Sequence, residues 1–132
     1  MDILERRKHL KTRANPESKI DYVSALHGTL QPFGHGRPTK VRVQYVPDRL
    51  IVEPAAFGRY LEAVGGVEWG SLEALATALL GDFSNELVAR WIRVVATSPE
   101  GAYPGIARHE VTIEDRQPGW DNAELLSRVA GG

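Results

Sequence analysis

The chain contains no cysteine among its 132 residues. This absence excludes disulfide bonds, thiolate-ligated metal sites and catalysis by a cysteine nucleophile. Long apolar runs are missing as well, since no stretch approaches the roughly 20 consecutive apolar residues that span a bilayer. The first residues, MDILERRKHLKTR, carry too much charge to contain the apolar segment of a signal peptide. We therefore expect a cytoplasmic protein with no membrane partner.

An excess of charge of one sign is also lacking, because 16 Lys and Arg residues face 17 Asp and Glu residues. A net charge of −1 predicts no general attraction to nucleic acid. The pair His109-Glu110 would need a third ligand to hold zinc, and the loop Gly34-His35-Gly36 lacks the flanking strand and helix of a nucleotide-binding motif. We expect neither a metal nor a cofactor.

The length and the ordinary composition, with 42% apolar and 25% charged residues, predict one globular domain. Residues 1–14 are predicted to form a basic arm or a short surface helix, residues 15–115 the folded domain, and residues 116–132 a tail. Asn15-Pro16 marks the first boundary, because the residue before proline favours an extended conformation.

Alternating apolar and polar residues predict four strands. The clearest is 40–46, with Val41, Val43 and Tyr45 on one face and Arg42 and Gln44 on the other. Less regular alternation predicts further strands over 20–29, 86–97 and 106–113, and Leu50 to Val52 extends the second strand beyond a turn.

Two helices are predicted between the second and third strands. Pro54 suits a first helical turn, and the pair Gly65-Gly66 ends that helix. Ser71 is a suitable N-cap for the next helix, whose apolar stripe runs from Leu72 to Phe83. The resulting order, β-β-α-α-β-β, predicts an α+β fold with an antiparallel sheet and both helices on one face. Because such a sheet has exposed edges, we expect a homo-oligomer.

The segment VRVQYVPD at 41–48, followed by Val52-Glu53 and Tyr60-Leu61, resembles the 7-cyano-7-deazaguanine reductases. Asn15-Pro16 and Asp21-Tyr22 are similar to upstream pairs of that family, and RWIRV at 90–94 is similar to one of its strands. The resemblance implies a tunnelling fold (T-fold), which has the same element order. The family reduces a nitrile with NADPH on the way to a modified base of transfer RNA.

The positions that carry the family's chemistry differ in this chain. The resemblance places Leu30 where the family has its cysteine nucleophile and Arg37 where it has a proton-donating aspartate. Leucine has no nucleophilic atom, and an arginine stays protonated at neutral pH. Two lysines of the family's NADPH-binding stretch are absent from residues 53–60. The resemblance therefore implies a divergent member without the thioimide-forming reductase activity.

One glutamate of the family's Phe-His-Glu motif remains, because that motif aligns with Ser71-Leu72-Glu73. The resemblance implies that Glu73 binds the amidine edge of a purine-like ring through two N–H donors. The alternative is a surface glutamate in the first turn of a helix, where the helix dipole favours it. Glu68 and Glu53 are further candidate substrate-binding carboxylates.

Candidate catalytic groups are His27, His35 and Arg37, which lie in or beside the loop that replaces the nucleophile region. A histidine can act as a general base at neutral pH, although an exposed structural histidine is the alternative. Two hypotheses remain: binding of a small purine-, deazapurine- or pterin-like molecule at a subunit interface with non-redox chemistry, or a non-catalytic binding or partner subunit. A reductase with another nucleophile is the least favoured hypothesis.

Overall fold

The computed structural model describes residues 2–129 and contains two antiparallel sheets. The main sheet has the strand order β2-β3-β5-β6, formed by Ser24–Leu30, Thr39–Val46, Trp91–Thr97 and Glu110–Arg116. A small second sheet joins β1, Thr12–Ala14, to β4, Leu50–Val52. The predicted α+β class with an antiparallel sheet is confirmed. Met1 and residues 130–132 of the predicted arm and tail lie outside the described residues.

Helices α2, Pro54–Gly65, and α3, Leu72–Leu87, pack on one face of the main sheet, as predicted. Proline occupies the first turn of α2, where a missing N–H costs nothing. The Ser71 hydroxyl caps α3 by accepting a hydrogen bond from the Ala74 N–H at 3.0 Å. The hydrophobic core lies between these helices and the side chains Val41, Val43, Tyr45, Ile92, Val94 and Ala96.

The third predicted strand was wrong at its start, because residues 86 and 87 belong to α3 and the strand β5 begins at Trp91. Leu87 fits the alternation of the strand, but it also lies one helical turn after Phe83, and both side chains are buried in the core. The helix ends at Leu87, and its C-cap residue, Val88, has a left-handed φ of 48°. Such a conformation stops a helix, although glycine usually provides it.

Two other strand boundaries differ from the prediction. The strand predicted over 20–29 begins at Ser24, because the residues before it are held by side chains: the Arg90 guanidinium binds the carbonyl oxygens of Ser18 and Ile20. The last strand spans Glu110–Arg116 and not 106–113. The preceding segment turns at Gly101 and Gly105, which have φ values of 67° and 80°.

The basic N-terminal segment forms a short helix, α1, at Ile3–Lys8. Arg6 and Arg7 bind the carboxylate of Asp82, which is completely buried in α3. The Tyr60 hydroxyl also donates to Asp82, at 2.5 Å. We call these four residues the Asp82 cluster. It attaches α1 to α2 and α3 by charge, since no residue of α1 is buried.

A last short helix, α4, occupies Ala123–Ser127. Asp21 connects the segment before it to the start of the chain, by accepting hydrogen bonds from the Trp120 indole at 3.3 Å and from the Asn122 amide at 3.1 Å. None of the helices formed by residues 2–129 is long and apolar enough to cross a bilayer.

Candidate functional site

Helices α2 and α3 leave one face of the main sheet uncovered, which we call the helix-free face, and two neighbouring rows of side chains cross it. The strand registers align Thr29, Lys40, Thr97 and Glu110 in one row, and His27, Arg42, Val95 and Thr112 in the next. Residues of these rows line a cavity of about 360 Å³, which we call the basin. Its lining side chains on this face are His27, Thr29, Lys40, Arg42, Val95, Thr97 and Glu110.

The basin contains two cations, Lys40 and Arg42. Lys40 and Arg42 have no hydrogen-bond or ion-pair partner among residues 2–129, and the buried Arg42 Nε atom has none either. The Glu110 carboxylate, two strands away from Lys40, accepts a hydrogen bond from the Thr97 hydroxyl at 3.3 Å. Neighbouring strands lie about 4.8 Å apart, so the backbones of Lys40 and Glu110 are about 10 Å apart.

Cations further along the same face are paired. Arg93 lies 5.1 Å from the ring centroid of Trp91 and 3.8 Å from the Glu114 carboxylate. The Trp91 indole donates to the same carboxylate at 2.5 Å. Trp91 and Val46 are completely buried at this end of the face. The helix-free face therefore has a closed end around Trp91 and an open end, the basin.

A second concavity, which we call the groove, lies between the edge strand β2 and the helix α2. Its volume is about 720 Å³, and its walls include Phe57, Leu61 and the strand residues from His27 to Leu30. Gly28 allows this close packing, because a Cβ atom there would lie 2.3 Å from Leu61 Cδ1 and 3.0 Å from Phe57 Cε2. His27 lines both the groove and the basin.

The predicted catalytic residues lie at the open end of the sheet and have different neighbours, and their catalytic roles stay predictions. His27 is exposed at the sheet edge. His35 packs edge-on against the Tyr103 ring, with ring centroids 5.1 Å apart, and also contacts Phe33. The Arg37 guanidinium donates to the backbone carbonyl oxygen of Glu100. His27 is therefore the predicted group that borders both cavities.

The predicted substrate-binding carboxylates lie apart from both cavities. Glu73 is exposed in the first turn of α3, where Oε2 lies 3.3 Å from Nε2 of His109. Glu53 precedes α2 and accepts hydrogen bonds from Arg13 at 3.2 Å. Glu68 is exposed between α2 and α3. Their roles in ligand binding stay predictions.

Two of the residues that the resemblance places at catalytic positions of the reductases lie in the core. Leu30 ends β2 and is 7% exposed, and Leu72 begins α3 and is 5% exposed. Both side chains pack against the helix-covered face. No group of three His, Asp or Glu side chains within residues 2–129 is arranged to hold a metal ion.

The residues that carry the resemblance hold the scaffold together. Arg90 binds Asp21 at 3.0 Å and Asp48 at 3.2 Å. Asn15 donates to the Asp48 carbonyl oxygen at 2.8 Å and accepts from the Tyr22 hydroxyl at 2.6 Å. The matching pairs therefore connect three separate segments of the chain.

Sequence reasoning missed Lys40, Thr97 and Glu110 as potential ligand-binding residues. The alternation in β3 was a sufficient signal for part of the basin, because it predicted that Arg42 lies opposite the core-facing valines. Placing Glu110 beside Thr97 required the register of β5 and β6, which no local pattern determines.

No protein-family model and no curated protein matches the chain. Among solved structures, it is similar to the crystal structure of the archaeosine synthase QueF-Like in the apo form. The TM-score is 0.56 and the sequence identity 20%, and the alignment covers 76% of this chain and 95% of that one. The likeness, together with the antiparallel sheet and its two covering helices, shows that this chain has the T-fold.

Proposed function

We propose that this chain binds a small planar heterocycle, of the purine, deazapurine or pterin type, where copies of the chain meet. Any reaction there would use acid–base or positional chemistry without redox steps. The position of His27 supports this proposal best, because this exposed imidazole lies on an edge strand between two cavities. A neutral imidazole at such a position can accept a proton from a bound ligand.

The sheet edges are where copies of the chain would meet. Strands β2 and β6 are the edges of the main sheet and have one unpaired side each within residues 2–129. Exposed strand edges form hydrogen bonds with further strands, and symmetric oligomers use such edges. A second copy at β2 would border the groove, whose apolar walls Phe57 and Leu61 suit the faces of a planar ring.

A non-catalytic role is a second candidate, and the burial of Leu30 and Leu72 supports it. If the positions aligned with reactive groups serve packing, the fold can persist for binding or assembly alone. A binding protein would retain ligand without consuming it. Chromatographic analysis of the ligand after incubation separates the two roles, because only an enzyme would generate a new species.

Thermal unfolding with 7-cyano-7-deazaguanine, guanine and pterin tests the binding proposal. A ligand at 100 times its Kd stabilises the folded state by about 2.7 kcal/mol, which raises the melting temperature by several degrees. His27→Ala should reduce this rise, whereas His9→Ala, at the end of α1, should retain it. Light scattering should give a mass of at least two chains. A monomeric protein that shows no rise with any of the three compounds would contradict the proposal.

A further inference from the structure

We propose that the basin is a binding site for the phosphate or carboxylate group of a small anionic molecule. This inference goes beyond the proposed function, since it concerns the helix-free face of a single sheet and requires neither a heterocycle nor a second copy. It rests on the alternation of side chains along β3, which places Lys40 and Arg42 on the same face, and on the strand register, which aligns Thr29 and Thr97 with Lys40.

The first argument is the arrangement of the donors. Lys40 and Arg42 lie about 7 Å apart along β3, because each strand residue advances about 3.3 Å. Thr29 and Thr97 flank Lys40 in its row, and Val95 flanks Arg42. Two cations and two hydroxyls thus surround a depression with an apolar residue on its floor. An oxyanion accepts hydrogen bonds from all of these polar groups.

The second argument is that residues 2–129 supply no carboxylate partner to these cations. Arg93, on the same face, lies against Trp91 and near Glu114. Lys40 and Arg42 have no such partner among residues 2–129, although Arg42 has a buried Nε atom. Two cations that line one cavity repel each other, and a bound anion would relieve the repulsion. The net charge of the chain is −1, so anion binding here would be a local property.

The third argument is size. A cavity of about 360 Å³ lies at the lower end of the range for small-molecule sites. It accommodates a compact anion or the acidic end of a larger ligand. Glu110 lies at the β6 end of the row that contains Lys40, and its carboxylate only accepts hydrogen bonds. It would therefore face an uncharged or N–H-bearing part of the ligand.

Isothermal titration at low ionic strength with inorganic pyrophosphate and, separately, citrate tests the inference. The wild type should bind at least one of them saturably, and the preferred anion distinguishes phosphate from carboxylate recognition. Arg42→Gln and Lys40→Gln should each weaken binding about 10- to 100-fold, as expected for the loss of a charge-assisted hydrogen bond. Added salt should weaken binding as well.

The matched control is Arg59→Gln, which removes an exposed cation from α2 and should change Kd by less than about twofold. Circular dichroism must show that each variant is folded. If Arg42→Gln does not fold, Arg42→Lys, which retains the charge, should bind more tightly than Lys40→Gln. Equal weakening by Arg59→Gln would overturn the inference. So would wild-type binding of single-stranded RNA with no binding of either small anion.

The two proposals can fail separately. Loss of pyrophosphate or citrate binding in Lys40→Gln, with the thermal response to a neutral heterocycle unchanged, supports the basin as a separate anion site. A chain that binds neither anion but still responds to the heterocycle contradicts the basin inference alone.

Discussion

The Asp82 cluster and the basin use charged side chains in opposite ways. In the cluster, one buried carboxylate accepts hydrogen bonds from Arg6, Arg7 and Tyr60 at 2.5 to 3.1 Å. In the basin, Lys40 and Arg42 have no carboxylate partner within residues 2–129. The cluster lies on the helix-covered side, and the basin lies on the face without helices.

This difference separates charges that stabilise the fold from charges that are available to a ligand. A buried charge is tolerated when other groups of the protein pair with it, because removal from water is otherwise costly. A cation at an open concavity keeps part of its hydration, so its desolvation costs less free energy. The paired charges of the Asp82 cluster therefore serve the fold, whereas the basin cations are the ones that we propose to bind an anion.

Breaking the cluster should have the largest effect on stability. Asp82→Ala leaves two partly buried arginines without their carboxylate and removes the acceptor of the Tyr60 hydroxyl. We expect the free energy of unfolding to fall by about 3–5 kcal/mol, as for other buried pairs that lose one partner. Urea unfolding followed by circular dichroism measures this change.

Two variants serve as controls for this comparison. Glu62→Ala removes an exposed carboxylate from α2, and Lys40→Gln removes a basin cation. Neither should shift the urea midpoint measurably, because substitutions of exposed residues outside such clusters have small effects. If Lys40→Gln were as unstable as Asp82→Ala, the basin cation would have a structural role. The difference between the basin and the Asp82 cluster would then disappear.

Adding a methyl group at Gly28, on the helix-covered side of the strand that borders the basin, should have the next largest effect on stability. Gly28→Ala places a Cβ atom 2.3 Å from Leu61 Cδ1, so the buried Leu61 side chain must shift. Overpacking of this kind costs about 1–3 kcal/mol. The matched control is Gly58→Ala in the exposed part of α2, where a Cβ atom meets nothing within 4 Å. That change should stabilise the helix by up to about 1 kcal/mol, since alanine is the better helix former.

Thermal unfolding of the two glycine variants gives the answer directly, because the predicted shifts have opposite signs. Equal melting temperatures would mean that the β2 strand and α2 separate easily. The packing of α2 on β2 would then constrain the open end of the sheet no more than the helix-free face does.

The smallest predicted effect concerns the alkaline pH dependence of the cluster. Burial, and then the hydrogen bond to Asp82, raise the pKa of Tyr60 well above its ordinary value of 10.0. The protonated phenol is thus favoured in the folded state, and its contribution is complete below pH 10.0 and is lost as the pH rises beyond that value.

The variant Tyr60→Phe should lose about 1–2 kcal/mol at neutral pH, because it removes one hydrogen bond to a charged group. Its stability should also fall less steeply than that of the wild type above pH 10.0. Urea midpoints from pH 8 to about 11 measure both effects. Tyr103→Phe, at a 42% exposed site, should follow the wild type. Parallel curves for Tyr60→Phe and the wild type would show that another group controls the alkaline loss.

Local patterns were sufficient to predict much of the fold. The alternation in β3 gave the correct faces for Val41, Val43 and Arg42, and the stripe from Leu72 to Phe83 gave the buried face of α3. The error at residues 86–90 arose because Leu87 satisfies both periods, and only the core decides between them. The pairing of β1 with β4 was not predicted, because a three-residue strand has almost no pattern.

The candidate site was less predictable than the fold. Of the predicted residues, His27 borders both cavities, because it lies on a strand whose position followed from alternation. Glu73 was identified through alignment with a motif, and its neighbour His109 lies immediately before β6, 36 positions later in the sequence. Which side chains share a cavity depends on contacts across strands, and sequence distance does not determine those contacts.

The sequence by itself determined the α+β class, the two helices on one face, and the loss of thiol chemistry. These properties depend on local periodicity and on residue identity alone. Only the tertiary structure decided which charges are paired. Asp82 meets Arg6 across 76 residues, whereas Lys40 and Arg42 pair with no acid in the described part of the chain. Sheet register and helix packing place charges regardless of their order in the sequence.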